Sequence, residues 1–320
     1  MKVIVTGGCG FIGSHLTHAL IHKGFEVIVI DNLSNGRIEN LNDFKNSPLL
    51  KIVIEDISEQ GSYEHHFKNC DIVFHLAALA DIVPSIEKPD EYFKSNVIGT
   101  FNIIEASRKN NVKKIVYAAS SSSYGLAKKI PTPETAPISP QYPYAFTKYQ
   151  AEQTILHWGK VYNISVVSLR LFNVFGPRSR TTGTYGAVFG VFLAQKLANE
   201  PLTIVGDGSQ KRDFTYVTDI VEAFYSAAIS NLNHEVINIG TGNPQSINYL
   251  AKLIQGKKIY IKKRPGEPDC TCASIEKAQR ILGWKPKISF EEGVKLMLKN
   301  IEWWREAPVW TPKKIEDATK

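Results

Sequence analysis

Apolar residues in the first two-thirds of the chain fall into short unbroken runs, separated by stretches in which they recur every three or four positions. Such runs read as strands buried on both faces, and the spaced stretches as helices that cover them. Strands are predicted at 2–6, 25–30, 50–54, 71–76, 115–119 and 164–169. A helix starts near Phe11 and carries His15, Leu16, Ala19 and Leu20 on its period. A second spans roughly Pro89 to Asn110, and a third runs from Ser139 to Gly159, entered by Pro140 and Pro143. This alternation predicts an α/β fold, a Rossmann-type doubly wound parallel sheet. After about residue 173 the texture changes to a polar loop at 177–183, a helix at 188–199, a strand at 202–205 and a helix at 218–229. A further run, Val236–Ile239, would rejoin the main sheet, so the two regions are expected to interleave.

The first strand runs straight into Gly7-Gly8-Cys9-Gly10-Phe11-Ile12-Gly13. Glycines at 7, 10 and 13 let the backbone pass close to a pyrophosphate, whose charge then sits on the helix N-terminus at Phe11 and Ile12. The second strand ends in Asp31-Asn32, where an acid can take the adenosine ribose hydroxyls and repel a 2′-phosphate. At the third strand's end, Asp56-Ile57 suits an adenine, by hydrogen bonding and apolar cover. Leu76-Ala77-Ala78 closes the fourth strand with small residues that allow close approach of a ligand. Asn96, inside the second helix, is counted with this cofactor set. Together these features predict an NAD site in an NAD-binding Rossmann domain at 1–173, completed by a strand near 214–240. Residues 174–320 form a smaller C-terminal mixed α/β substrate-binding region.

Composition narrows the class further. At 320 residues, 43% hydrophobic and 22% charged, the chain can bury a sizeable core and reads as a soluble globular enzyme. The net charge of +7 suits an anionic ligand. Its lysines are scattered pairs and one short Lys262-Lys263-Arg264 triplet rather than a tract, so no nucleic-acid partner is expected. The four cysteines, at 9, 70, 270 and 272, lack zinc spacing, so no metal is expected. No leader precedes the first strand and no run approaches a membrane span, so a cytoplasmic protein with no membrane contact is expected. Trp303, Trp304 and Trp310 in the tail are expected to pack on the protein's own body.

Tyr144-Ala145-Phe146-Thr147-Lys148 places a phenol and an ammonium on one helix face. A neighbouring lysine and an oxidised nicotinamide, both cationic, would pull the phenol from near 10 toward neutrality. A three-unit shift asks about 4 kcal/mol of these charges. Ser120-Ser121-Ser122-Ser123 follows the fifth strand, where a hydroxyl could hold a substrate oxygen beside Tyr144. Ser120 and Ser121 are counted with Tyr144 and Lys148 as catalytic, Tyr144 and Lys148 also with the cofactor set, Lys148 reaching the cofactor ribose, and Ser120, Ser122 and Tyr144 as substrate-binding.

Gly7/Gly10/Gly13, Asp31, Asp56-Ile57, Ala77-Ala78, Ser120 and Tyr144/Lys148 together resemble an extended short-chain dehydrogenase/reductase, most closely the UDP-galactose 4-epimerase family. The resemblance covers essentially the whole chain. It implies that Asn173, in Leu171-Phe172-Asn173-Val174-Phe175-Gly176-Pro177, reaches nucleotide-sugar phosphates. It also implies that Arg212 and Arg264 grip the diphosphate, that Val188 lines the substrate, and that small Thr271 helps set the sugar-pocket size. The implied reaction is NAD-dependent inversion at C4 of a UDP-hexose through a transient 4-keto sugar, with UDP-Glc/UDP-Gal and UDP-GlcNAc/UDP-GalNAc as candidates. Tyr144 would act as acid/base and Ser120 would orient the oxygen. Related 4,6-dehydratases and UDP-glucuronate decarboxylases carry an acid next to Ser120, where this chain has Ser121 and Ser122. The alternatives are another nucleotide-sugar-modifying enzyme (decarboxylase, dehydratase, reductase or epimerase at another carbon) and a non-catalytic NAD sensor. Helices near 90–110 and 140–160 build a dimer interface in similar proteins, so a homodimer is implied.

Overall fold

Val3, Val5, Val27 and Val29 are fully buried because their strands lie in the middle of one sheet with helices on both faces. The computed structural model describes residues 1–179, 188–263 and 267–317. The N-terminal stretch runs through β1 (Lys2–Thr6), α1 (Phe11–His22), β2 (Glu26–Asp31), β3 (Leu50–Ile54), β4 (Ile72–His75), α2 (Ile82–Glu87), α3 (Pro89–Phe93), α4 (Gly99–Lys109), β5 (Lys114–Ser120), α5 (Pro143–Tyr162) and β6 (Ser165–Leu171). The C-terminal stretch adds β7 (Val174–Phe175), α6 (Val188–Leu197), β8 (Leu202–Val205), β9 (Lys211–Arg212), β10 (Thr215–Tyr216), α7 (Val217–Ile229), β11 (Glu235–Ile239), β12 (Gln245–Ser246), α8 (Ile247–Ile254), β13 (Lys258–Ile261), α9 (Glu276–Leu282), α10 (Phe290–Lys299) and α11 (Pro312–Asp317).

Among the described residues, seven strands pair in parallel in the order β11-β6-β5-β4-β1-β2-β3. Val3 is paired with Val27 on one side and Ile72 on the other. The strand order reverses between β1 and β4, and a doubly wound sheet opens its ligand crevice at the carboxyl ends of the strands flanking that point. Leu16 and Leu20 of α1 pack with Ile220 and Phe224 of α7 on one face. Ile103 and Ile104 of α4 pack with Ala151 and Ile155 of α5 on the other. A third core lies under the C-terminal stretch, where Phe175 stacks on Phe189 at 4.5 Å and Phe214 on Phe290 at 5.3 Å. Among the described residues, no helix is long and apolar enough to cross a membrane.

Two helices differ from the sequence expectation. Pro143, rather than Pro140, opens α5, because a proline at the first helical position holds its predecessor extended; Tyr142 sits at φ −151°, ψ 162°. The single helix expected over Pro89–Asn110 is interrupted, with a π-helical turn at Lys94–Ile98 between α3 and α4. Such turns bulge a helix locally, and this one carries the fully buried Asn96.

Candidate active site

The glycine turn is packed backbone on backbone. Gly7 lies in the left-handed region at φ +70°, and a Cβ there would stand 2.8 Å from the Ala77 nitrogen. A Cβ on Gly13 would stand 2.0 Å from the Gly7 carbonyl oxygen. Only glycine permits this approach of α1 to the end of β1. Beside the turn, a cleft of about 410 Å³ is lined by Gly7, Gly10, Phe11, Ile12 and Gly13, by Asp31 and Asn32, by Asp56 and Ile57, and by Leu76, Ala77 and Ala78. Parallel register brings these residues from the ends of four strands into one wall.

The acids of the cleft are held in place. Asp31 accepts the N–H groups of Cys9 and Leu33, both at 2.9 Å; burial nonetheless raises its carboxyl above the usual range. Asp56 accepts Asn32 Nδ2 at 3.0 Å and the Ser58 N–H at 2.8 Å. Arg178 also lines the cleft, and its Nη1 is buried without a hydrogen-bond partner among the described residues. A glycine cradle, an acid at the second strand's end and an unsatisfied guanidinium nitrogen fit a dinucleotide diphosphate.

Asn96 does not line this cleft. Its amide donates to Leu79 O at 3.0 Å and Thr147 Oγ1 at 3.1 Å, while its oxygen accepts the Leu79 N–H at 2.8 Å. It shapes the loop after β4 and ties it to α5, because the π turn directs its side chain inward. His75 plays a similar part. Thr100 Oγ1 gives its proton to Asn96 O at 2.6 Å, so His75 Nε2 donates to Thr100 at 2.8 Å and Nδ1 accepts from Thr6 at 2.7 Å. Burial holds this imidazole neutral, its pKa pushed down to about 3.

Tyr144 is partly buried at the start of α5, close enough to Ser120 and Ser122 for their hydroxyls to favour its phenolate. Ser120 Oγ lies 2.7 Å from Ser122 Oγ and also caps the Ser121–Tyr124 turn by accepting the Ser122 N–H. Ser121 opens that turn, so the hydroxyl paired with Ser120 is Ser122. Beneath the turn, Tyr124 donates to Asn238 Oδ1 at 2.7 Å and accepts from Arg170, which is ion-paired with the buried Glu152.

Lys148 and an oxidised nicotinamide are the two charges expected to lower the Tyr144 pKa; the chain's own groups leave it above the ordinary value. Burial raises it and Asp81 adds to the rise, while the serine hydroxyls pull it down. The Lys148 ammonium lies 4.4 Å over the Tyr117 ring, a cation–π seat. Burial lowers Lys148 to about 7, offset in part by Glu152. Loss of hydration is the largest cause in both shifts, raising the phenol and lowering the ammonium.

The substrate-side residues gather at the other end. Thr271 Oγ1 donates to Asn173 Oδ1 at 2.9 Å, which joins two positions from distant loops. Arg212 does not stand open: it donates to Pro268 O at 2.8 Å and Glu267 Oε1 at 2.6 Å. Tyr142, pushed up to about 12 by burial, feels the charges of Tyr144, Arg212 and Glu267. Asp213, unmarked by the sequence reading, is fully buried and accepts the N–H groups of Thr241, Gly242 and Ala273. Val188 opens α6, half-buried against the third core. Arg264 lies outside the described residues.

The tail tryptophans pack on the protein's own body as expected, with Trp303 and Trp310 partly buried against the third core. Trp304 is fully buried in that core, whereas Trp303 and Trp310 also border the cleft. An aromatic among charges carries no periodic signal that could distinguish these fates.

Comparison with known proteins agrees with this architecture. The family model described as GDP-mannose 4,6 dehydratase matches residues 4–297. The UDP-glucose 4-epimerase of Mycolicibacterium smegmatis is 33% identical over 314 residues, covering 95% of this chain and 99% of the relative. The crystal structure of a UDP-glucose 4-epimerase with UDP-glucose from Thermotoga maritima superposes with a TM-score of 0.88 at 37% identity, covering 96% of this chain and 99% of the other. A UDP-glucuronic acid 4-epimerase from Bacillus cereus, in complex with UDP-glucuronic acid and NAD, gives 0.87 at 32% identity, with 94% and 99% covered. The chain therefore belongs to the UDP-glucose 4-epimerase family of extended short-chain dehydrogenases/reductases.

Proposed function

We propose that the chain is an NAD-dependent isomerase that inverts C4 of a UDP-hexose, with UDP-Glc/UDP-Gal the first substrates to test and UDP-GlcNAc/UDP-GalNAc next. The observation that carries this reading is the Tyr144 phenol, which feels the Ser120 and Ser122 hydroxyls at the carboxyl end of β5, the strand whose Ala118 lines the glycine-turn cleft. The residues fit NAD: Gly7, Gly10 and Gly13 cradle the diphosphate, Asp31 meets the adenosine ribose, and Asp56 and Ile57 flank the adenine. When bound, NAD supplies a nicotinamide that accepts a hydride from C4 and returns it. Tyr144 takes and gives back the C4-hydroxyl proton, and Ser120 and Ser122 orient that oxygen. Lys148, seated on Tyr117, supplies positive charge beside the phenol's helix face. Asn173, Thr271 and Arg212 hold the nucleotide diphosphate; Arg212 exchanges Glu267 for phosphate oxygens, since a guanidinium fork pairs with either. Neither Ser121 nor Ser122 offers a carboxyl, the proton donor an elimination at the neighbouring carbon would need.

Residues 1–173 with β11 would serve the dinucleotide, and 174–320 mainly the nucleotide sugar, in a cytoplasmic homodimer. Phe93, Phe101 and Phe146, each at least 39% exposed on the α3–α5 side, suit a subunit interface. Incubation with UDP-Glc under NMR should give UDP-Gal without added reductant. Net NADH formation, or a product unchanged at C4, rejects the assignment. Sedimentation at micromolar concentration tests the dimer.

A further inference from the structure

The C-terminal stretch is pinned on both sides of a short exposed passage. Trp304 and Ile315 are fully buried in the third core, and Gln195 of α6 donates to the Trp310 carbonyl at 2.7 Å. Trp303, just before the first anchor, and Ala307, Pro308 and Trp310, between the anchors, line the cleft that also holds the glycine turn and Asp31. The Arg37 guanidinium stacks 6.0 Å from the Trp303 ring, and the Arg37 N–H donates to Cys9 O within the glycine turn at 3.0 Å. Arg37 therefore links the tail to the cofactor cradle at the end of the cleft marked by Asp31.

We propose that Trp303, with Arg37 stacked on it, and Trp310 form the outer wall of the dinucleotide site, so that the C-terminal segment holds NAD in place. Indole faces and a stacked guanidinium give an adenosine apolar cover, a cation–π partner and exclusion of water from the diphosphate. The inference rests on the redox-neutral reading above. A hydride lent by the sugar must return to the same sugar, so a cofactor that leaves between the two transfers strands the intermediate. A wall supplied by the tail slows that departure.

The test uses the full chain with Trp303→Ala, Trp310→Ala and Arg37→Gln. It reads NAD retained after gel filtration, NADH affinity by energy transfer from tryptophan or by calorimetry, and the NADH dissociation rate. Retained NAD should fall in both tryptophan variants, with dissociation faster by about tenfold, the size of one lost aromatic anchor. Arg37→Gln, which leaves the core anchors intact, should speed dissociation by about threefold. Unchanged NAD content and dissociation in all three, with only a lowered melting temperature, would overturn the proposal and leave the tail as packing. Because NAD is measured without nucleotide sugar, this failure is separate from that of the epimerase reading, which UDP-hexose turnover by the parent chain tests.

Discussion

At the glycine turn the contacts are backbone against backbone, whereas around Arg212 they are side chain against side chain. Gly7 and Gly13 approach the Ala77 and Gly7 backbones at distances that leave no room for a Cβ on either glycine, so the cradle exists as soon as the sheet has formed. At the other end, Arg212 spends its donors on Glu267 and Pro268, and Asn173 accepts from Thr271. Under the proposed reading, those pairs are exchanged when the nucleotide diphosphate arrives. The first half is set before binding, and the second is closed on itself and opens by substitution of partners. That suits a reaction in which the dinucleotide stays while the nucleotide sugar comes and goes.

The largest effect is expected where the halves meet. Tyr144→Phe should cut turnover about 10³-fold, within the range of a general acid/base, while retained NAD stays at the parent level. Turnover within tenfold of the parent would remove Tyr144 from the proton transfer. Next comes acid stability of the cradle. The His75 pKa is about 3 against an ordinary 6.5, so between those values the unfolded chain binds the extra proton. Stability from this group is complete above pH 6.5 and is lost as pH falls toward 3, by roughly 5 kcal/mol at 1.4 kcal/mol per unit. Urea midpoints across that window should fall less steeply for His75→Gln than for the parent.

Gly13→Ala should cost about 3 kcal/mol, as overpacking does, and abolish NAD retention. Arg212→Met should instead raise KM for UDP-Glc about 30-fold, the size of a lost charged hydrogen bond, with retained NAD unaffected. Equal NAD loss in both variants would erase the distinction between the halves. The smallest effect belongs to Gly206→Ala. Gly206 is also left-handed, at φ +70°, but its Cβ would meet nothing nearer than 3.6 Å. The change should cost about 1 kcal/mol in thermal unfolding and leave NAD in place.

The chain by itself determined the parallel sheet, because strands buried on both faces read as unbroken apolar runs and the helices between them keep their period. The expected run at 50–54 and the end of the series at Val236–Ile239 match β3 and β11 closely. The glycine turn, Asp31 and the Tyr144–Lys148 pair were legible because each depends on local spacing, and local spacing survives folding. Tertiary structure alone decided what those groups feel. Burial raised Tyr144 and lowered Lys148, the π turn drew Asn96 inward, and Glu267 came to Arg212 from 55 positions away. Trp303 and Trp310 reached the cleft from the far end of the chain for the same reason. Hydration and charge act through space, and separation along the chain does not encode which distant side chains will share a low-dielectric site.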